Sequence, residues 1–231
     1  MILEYNHEQV ELGRLLQSVP RDALVVDVGC GRGRNLDLLK RLGFLNVIGV
    51  DVNPDLIAIV KESGHNGFTP QEFNSRFTGG CVDVILLSHI IEHFEYRALL
   101  NFLSDYLGKL KLGGSVVVVT PLMSDMFFND FDHVKPYLPL GINMVFGPNP
   151  EQVQCQSEHV LLPQDIRFYR APVRLQWQRV FYVPGAPTWP LLVNRGLRLL
   201  FLLSRGQCGR RSGWIGRYKY EGLRAKLKQG S

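Results

Sequence analysis

The chain has 231 residues, 45% of them apolar, with 26 Lys+Arg against 21 Asp+Glu for a net charge of +5. That apolar fraction is enough for one sizeable packed domain, which excludes a chain too polar to build a core. Cys30, Cys81, Cys155 and Cys208 are scattered without a C-x-x-C pair, which excludes a disulfide scaffold and points to free thiols in a reducing compartment. The acidic N-terminus has no signal-peptide core, so a cytoplasmic location is expected.

The charge is uneven. From Arg195 onward ten Lys/Arg face Glu221 alone, which makes that stretch +9 and leaves −4 for the rest. A basic end on a mildly acidic body suits an anionic partner, whether RNA or a membrane surface.

In chain order, Glu4 to Val19 places Val10, Leu12, Leu15, Leu16 and Val19 at helical spacing before Pro20. Leu24 to Val28 is a short β-branched run, expected of a strand buried on both faces. Gly29, Gly31 and Gly33 follow at once, where a tight turn lets a ligand approach bare backbone. Leu36, Leu38, Leu39 and Leu42 then mark a helix, so the turn delivers a ligand to a helix N-terminus. Val47 to Val50 is a second strand ending on Asp51, a carboxylate placed to accept both hydroxyls of a ribose. The unit is expected to bind a nucleoside-containing cofactor.

Asn53-Pro54-Asp55 starts a third helix that stops near Gly64. His65 to Gly80 is irregular, with His65 read as a solvated loop residue and Glu72 left without a role. Asp83 to Ser88 is a strand whose C-terminal exit is Ser88-His89, the end at which open parallel sheets bind ligands. A helix from about Tyr96 to Leu110 and a strand from Ser115 to Thr120 follow. Leu138 to Glu158 is a long aperiodic connection, expected to build part of an acceptor pocket. Val173 to Val183 alternates as a half-exposed antiparallel strand. Leu191 to Leu203 is too short and too charged to span a bilayer, and core packing is favoured for it over a membrane surface. Tyr218-Lys219-Tyr220 is read as a last strand.

D-V-G-C-G-R-G (Asp27 to Gly33) followed by V-I-G-V-D resembles motifs I and II of the class I S-adenosylmethionine-dependent methyltransferases. V-D-V-I-L-L-S before H-I-I-E-H-F, and K-L-K-L-G-G-S-V-V-V-V-T-P, resemble that family's fourth- and fifth-strand motifs, so the likeness covers about residues 20 to 121. The resemblance implies a Rossmann-like, doubly wound α/β fold: a mostly parallel seven-stranded sheet with helices on both faces and an elaborated C-terminal part. It implies a methyltransferase domain over 1–190, with an N-terminal helix (1–20) that either lids the cofactor or packs on the sheet, and an acceptor-pocket insertion over 122–170. Residues 191–231 are then a basic extension packed on the same domain.

The implied cofactor is S-adenosyl-L-methionine. Asp27 and the backbone at Gly29, Cys30, Gly31 and Gly33 would hold its amino-acid end and Asp51 the ribose. Val52 and Asn53 would flank the adenine, while Ser88 and His89 border the methyl group. D-H-V-K-P-Y (Asp132 to Tyr137) resembles the D-H-x-R-P-Y segment of many bacterial small-molecule members, which makes His133 the candidate base, with Asp132 orienting it. H-I-I-E-H also resembles the E-x-x-E-H pattern of small-RNA 2′-O-methyltransferases. There a downstream histidine completes a divalent-metal site, but His89 stands here where the first glutamate belongs. Packing or hydrogen bonding is favoured for Glu92 and His93, and no metal ligand is assigned. The leading reading is methyl transfer to an oxygen or nitrogen of a small-molecule or saccharide-type acceptor. The alternatives are an RNA methyltransferase using the basic end, metal-assisted or not, and a non-catalytic cofactor-fold protein that docks a partner or an anionic membrane.

Overall fold

The computed structural model describes residues 6–124, 127–151, 154–175 and 188–224. Seven strands form one sheet in the order β3-β2-β1-β4-β5-β7-β6. Strands β1 (Leu24–Val28), β2 (Asn46–Val50), β3 (Asn66–Phe68), β4 (Val82–Ser88) and β5 (Leu110–Pro121) run parallel. Strands β6 (His159–Pro172) and β7 (Gly209–Leu223) close the far edge as an antiparallel pair, with β7 against β5. The division expected at residue 190 therefore runs through one sheet, because β7 lies between β5 and β6.

The alternation along each central strand explains the layering. Val26, Val28, Ile85, Leu87, Val116 and Val118 feed one core, while Val25, Val84, Leu86, Val117 and Val119 feed the other. Successive side chains point to opposite faces, so a run apolar at every position must be covered on both sides. Helices α4 (Pro70–Arg76), α5 (Tyr96–Leu107) and α6 (Pro139–Phe146) cover the first face through Phe73, Leu99, Leu103, Ile142 and Phe146. Helices α1 (His7–Leu15) and α2 (Arg34–Arg41) cover the second through Leu12, Leu15, Leu38 and Leu39. Helix α3 (Pro54–Glu62) opens on Asn53, whose side chain accepts from the Asp55 amide at 2.9 Å.

Several expectations are corrected. The edge strand is His159–Pro172, upstream of the one expected: residues 173–175 are not in a strand, and 176–187 lie outside the described residues. Pro163 and three register irregularities mask its period, which an edge strand tolerates and a central one would not. Helix α6 occupies part of the connection read as aperiodic. His65 is tucked against Asp37, 2.9 Å away, rather than solvated. Glu72 closes a capping box with Thr69 at the start of α4. The apolar segment near the end does form a helix, α7 (Trp189–Leu203), yet Pro190 and Phe201 are its buried residues and the core does not take up the rest.

Helix α1 is a core element rather than a loose cover, since Leu12 is fully buried among α2 and the sheet. Leu12→Ala is expected to cost about 2–5 kcal/mol in urea unfolding. A loss below about 0.5 kcal/mol would mean that α1 is not packed as described.

Candidate active site

The strand order reverses between β1 and β4, and a crevice opens outside their carboxyl ends, where open α/β sheets bind ligands. Its first wall is the turn after β1. Gly29, Gly31 and Gly33 all have positive φ, at 73°, 54° and 85°. A Cβ on Gly29 would stand 2.0 Å from Ile90, whereas one on Gly31 would project into open space. Bare backbone at Gly31 thus faces a volume that a ligand can enter.

The amides of this turn are already used. Gly29 N and Cys30 N both donate to the Val50 carbonyl, at 2.7 and 3.0 Å, and Gly31 N donates to Asp51 Oδ2 at 2.9 Å. The Gly29, Cys30 and Gly31 amides are therefore not on offer to a ligand. Beneath it Asp27 is fully buried with both oxygens unpartnered. Burial pushes its pKa up to about 7; Asn35 opposes the shift without reaching hydrogen-bond geometry, and Asp51 adds to it. A buried, unpaired carboxyl below an open glycine fits a ligand that brings positive charge. Cys30 instead turns its thiol into the small core of Leu36, Ile57 and Val60, where burial raises its pKa to about 12, so that side chain is structural.

Asp51 accepts from Gly31 N and from Asn53 N, at 2.9 Å each. A carboxylate has about four lone-pair sites, so each oxygen keeps one for a ribose hydroxyl. A cavity of about 570 Å³ is lined by Gly29, Asp51, Val52, Gln71, His89 and His93. Val52 lines it, whereas Asn53 serves as the helix cap and Ser88 ends β4 without lining this cavity.

His89 is the second wall. Its φ of 56° lies in the left-handed region, uncommon for a residue with a side chain and costing about 1–2 kcal/mol. Two carboxylates hold it there: Nε2 lies 2.9 Å from Glu8 Oε2, and Nδ1 lies 3.3 Å from Glu92 Oε1. Burial alone would depress its pKa, but the two acids outweigh burial and raise it to about 9. His89 is therefore an imidazolium at neutral pH, a clamp rather than a base. Glu8, which also pairs with Arg34 at the start of α2, is held below the usual carboxylate range, its burial outweighed chiefly by His89. It separates the crevice from a second cavity of about 520 Å³ lined by Glu8, Arg34, Tyr169 and Arg198.

Glu92 is fully buried and accepts from the Thr120 hydroxyl at 2.9 Å, while its carbonyl receives the amides of Val134 and Lys135. Those amides place the 130s segment over the site. Within it Asp132 faces His93, 3.1 Å from Nδ1, not His133 as the sequence suggests. His133 donates from Nδ1 to the Phe127 carbonyl at 2.7 Å and packs edge-on against His93, behind the crevice lining. Glu92, His93 and His133 bring ligand atoms within 4.8 Å of one another, a set able to hold a divalent cation. Glu8 and His93 were missed because their partners lie far along the chain; the H-I-I-E-H run was the available signal.

The methyltransferase-domain family profile matches residues 6–184. The chain belongs to that family: it is a class I S-adenosylmethionine-dependent methyltransferase. Among solved structures it is similar to a SAM-dependent methyltransferase from Archaeoglobus fulgidus, at 21% identity and TM-score 0.59 over 91% of this chain and 92% of that one. It is also similar to geranyl diphosphate C-methyltransferase from Streptomyces coelicolor, at 16% identity and TM-score 0.57 over 92% and 76%. A curated relative is the tRNA (carboxymethyluridine(34)-5-O)-methyltransferase alkbh8 of Xenopus tropicalis, 31% identical over 110 residues. That alignment takes in 47% of this chain and 17% of the relative's length.

The Asp27 carboxyl is neutral below about pH 7 and charged above it. In the free protein the neutral form is favoured, so its contribution to stability is present at low pH and lost as pH rises through about 7. A bound ammonium reverses the preference. Affinity for S-adenosylhomocysteine in calorimetry is expected to rise between about pH 6 and pH 8, and Asp27→Asn to flatten the rise. A wild-type affinity that does not change over that range would contradict the assignment.

Proposed function

We propose that this methyltransferase acts on an oxygen or nitrogen of a small-molecule acceptor, saccharide-type acceptors included. S-adenosyl-L-methionine supplies the methyl group as a sulfonium carrying its own leaving group. The observation that carries the reading is the juxtaposition at the crevice: Gly29 and Asp51, the latter bonded to the open Gly31 backbone, on one side, and His89 and His93 on the other. Asp51 would bind the ribose hydroxyls, and Val52 would lie along the base. Asp27 and the turn carbonyls would hold the ammonium. The His89 clamp would fix the wall beside the methyl group without exchanging a proton.

His93 is the base we assign in place of His133. It reaches the crevice, and Asp132 beside Nδ1 can steady the imidazolium formed when the acceptor gives up its proton. His133 would buttress that ring. The acceptor would enter from the side of Tyr96, Leu99, Lys135 and Tyr137, which line an apolar cavity of about 290 Å³ beside the 130s segment. The cysteines, all free, support a reducing, cytoplasmic setting.

An RNA acceptor is the second reading. It is favoured by the tRNA methyltransferase among the relatives, by the +9 charge from Arg195 onward and by the cation-capable Glu92–His93–His133 set.

Methyl-labelled S-adenosylmethionine incubated with the protein and fractionated cell extract is expected to label the small-molecule fraction. Label entering RNA, and lost on chelation, would select the second reading. With the labelled acceptor in hand, His93→Gln should lower turnover by about 10²–10⁴-fold. Asp51→Ala should instead weaken S-adenosylhomocysteine binding by about tenfold or more. Full turnover in His93→Gln would remove the base assignment.

A further inference from the structure

Helix α7 is amphipathic in the reverse sense. Pro190, Asn194, Leu197 and Phe201 recur at helical spacing and are the more buried positions, facing the body of the protein. Asn194 is tied there, its side chain accepting from the Leu175 amide at 2.7 Å and donating to the Leu175 carbonyl at 3.2 Å. The opposite crest, Leu192, Gly196, Leu199 and Leu203, points away. Its leucines are 63%, 56% and 75% exposed, and Trp189, Val193 and Leu200 widen the same exposed apolar face. A surface helix of a soluble domain normally turns its polar side outward, and a contiguous outward apolar face marks an interaction surface.

The charges beside it choose the partner. Arg195 and Arg198 flank the crest, with Arg205, Arg210 and Arg211 just beyond, and no Asp or Glu occurs from residue 188 to 213. The charged residues of this helix are all arginines, and an exposed apolar crest with that charge beside it and a tryptophan at one end matches a lipid interface with anionic headgroups. The helix has 15 residues, and no described helix is long and apolar enough to cross a bilayer.

Its position joins it to the active site. α7 links the end of β6 to the start of β7, where Gly213 pairs with Pro121, the last residue of β5. That is the carboxyl rim onto which the crevice opens. Arg198 and Phe201 wall the same 520 Å³ cavity as Glu8 and Arg34. The segment after β5, on this rim too, exposes Phe128, Phe131, Leu138 and Leu140. We infer that α7 is a peripheral docking helix that seats the carboxyl rim of this protein on an anionic lipid surface, with the crest of Leu192, Leu199 and Leu203 in the acyl boundary and Arg195 at the phosphates. The inference does not depend on which acceptor is methylated.

The test is sedimentation of the full chain with vesicles of phosphatidylcholine alone and of phosphatidylcholine with phosphatidylglycerol. Binding is expected to the anionic vesicles and to weaken as salt rises. Leu192→Asp/Leu199→Asp and Arg195→Glu should each lower partition by about tenfold or more, with S-adenosylhomocysteine affinity and melting temperature retained. Three results would overturn the inference. One is absence of binding; a second is equal binding to both vesicle types. The third is a dimer in light scattering that Leu192→Asp/Leu199→Asp dissociates while vesicle binding is unaffected, which would assign the face to a second copy. Loss of S-adenosylhomocysteine affinity with vesicle binding intact would count against the cofactor site alone.

Discussion

Two backbone amides sharing one carbonyl hold this structure's function together. Gly29 N and Cys30 N converge on the Val50 carbonyl, and Gly31 N continues to the side chain of the next residue, Asp51. The turn after β1 is thereby pinned to the end of β2, in a run of left-handed backbone that glycine adopts without strain. Two consequences follow from the same bonds. Those three amide donors are occupied, and the Asp51 carboxylate is aimed before any ligand arrives. The buried, unpartnered Asp27 carboxyl and the spare lone pairs of Asp51 suit a cationic nucleoside, which is what a sulfonium cofactor with an ammonium tail is.

The other wall depends on charge rather than backbone. His89 leaves β4 in a conformation a histidine rarely adopts, and ion pairs to Glu8 and Glu92 compensate for it. Because Glu8 sits on α1 and Glu92 is bonded to Thr120 on β5 and to the 130s segment, one imidazolium joins the N-terminal helix, the sheet and the segment over the site. As pH rises through about 9 the imidazolium is lost, and with it the attraction that holds α1 to the crevice. Helix α1 packs in the core through Leu12 and Leu15, and its first turn reaches the crevice through the Glu8 contact with His89.

What the sequence made legible was whatever is local. β1, the glycine turn, β2 with Asp51, and β4 with its exit histidine each carry their signal within a few residues, because burial on both faces leaves an unbroken apolar run. The seven-stranded sheet was implied by the family resemblance that those segments carry. Contacts across the chain were not legible. Asp132 precedes His133, and adjacency suggested a pair, but consecutive residues in a turn point apart and Asp132 meets His93 instead. Glu8 reaches His89 across 81 positions with nothing in either neighbourhood to announce it. β6 was displaced because Pro163 and its bulges break the alternation that an edge strand is free to lose. α7 was expected in the core on the strength of its leucines, and only the fold reveals that its inward stripe is Pro190, Asn194, Leu197 and Phe201.

The central claim is that the cofactor's nucleoside and amino-acid ends lie across the Gly31 backbone between Asp51 and Asp27. A crystal structure with S-adenosylhomocysteine tests it most directly. The account requires both ribose hydroxyls on the Asp51 carboxylate and the ammonium over Asp27, with the Gly29 and Cys30 amides still on Val50. A ligand seated elsewhere on the rim, or a crevice filled by the protein's own side chains, would contradict it.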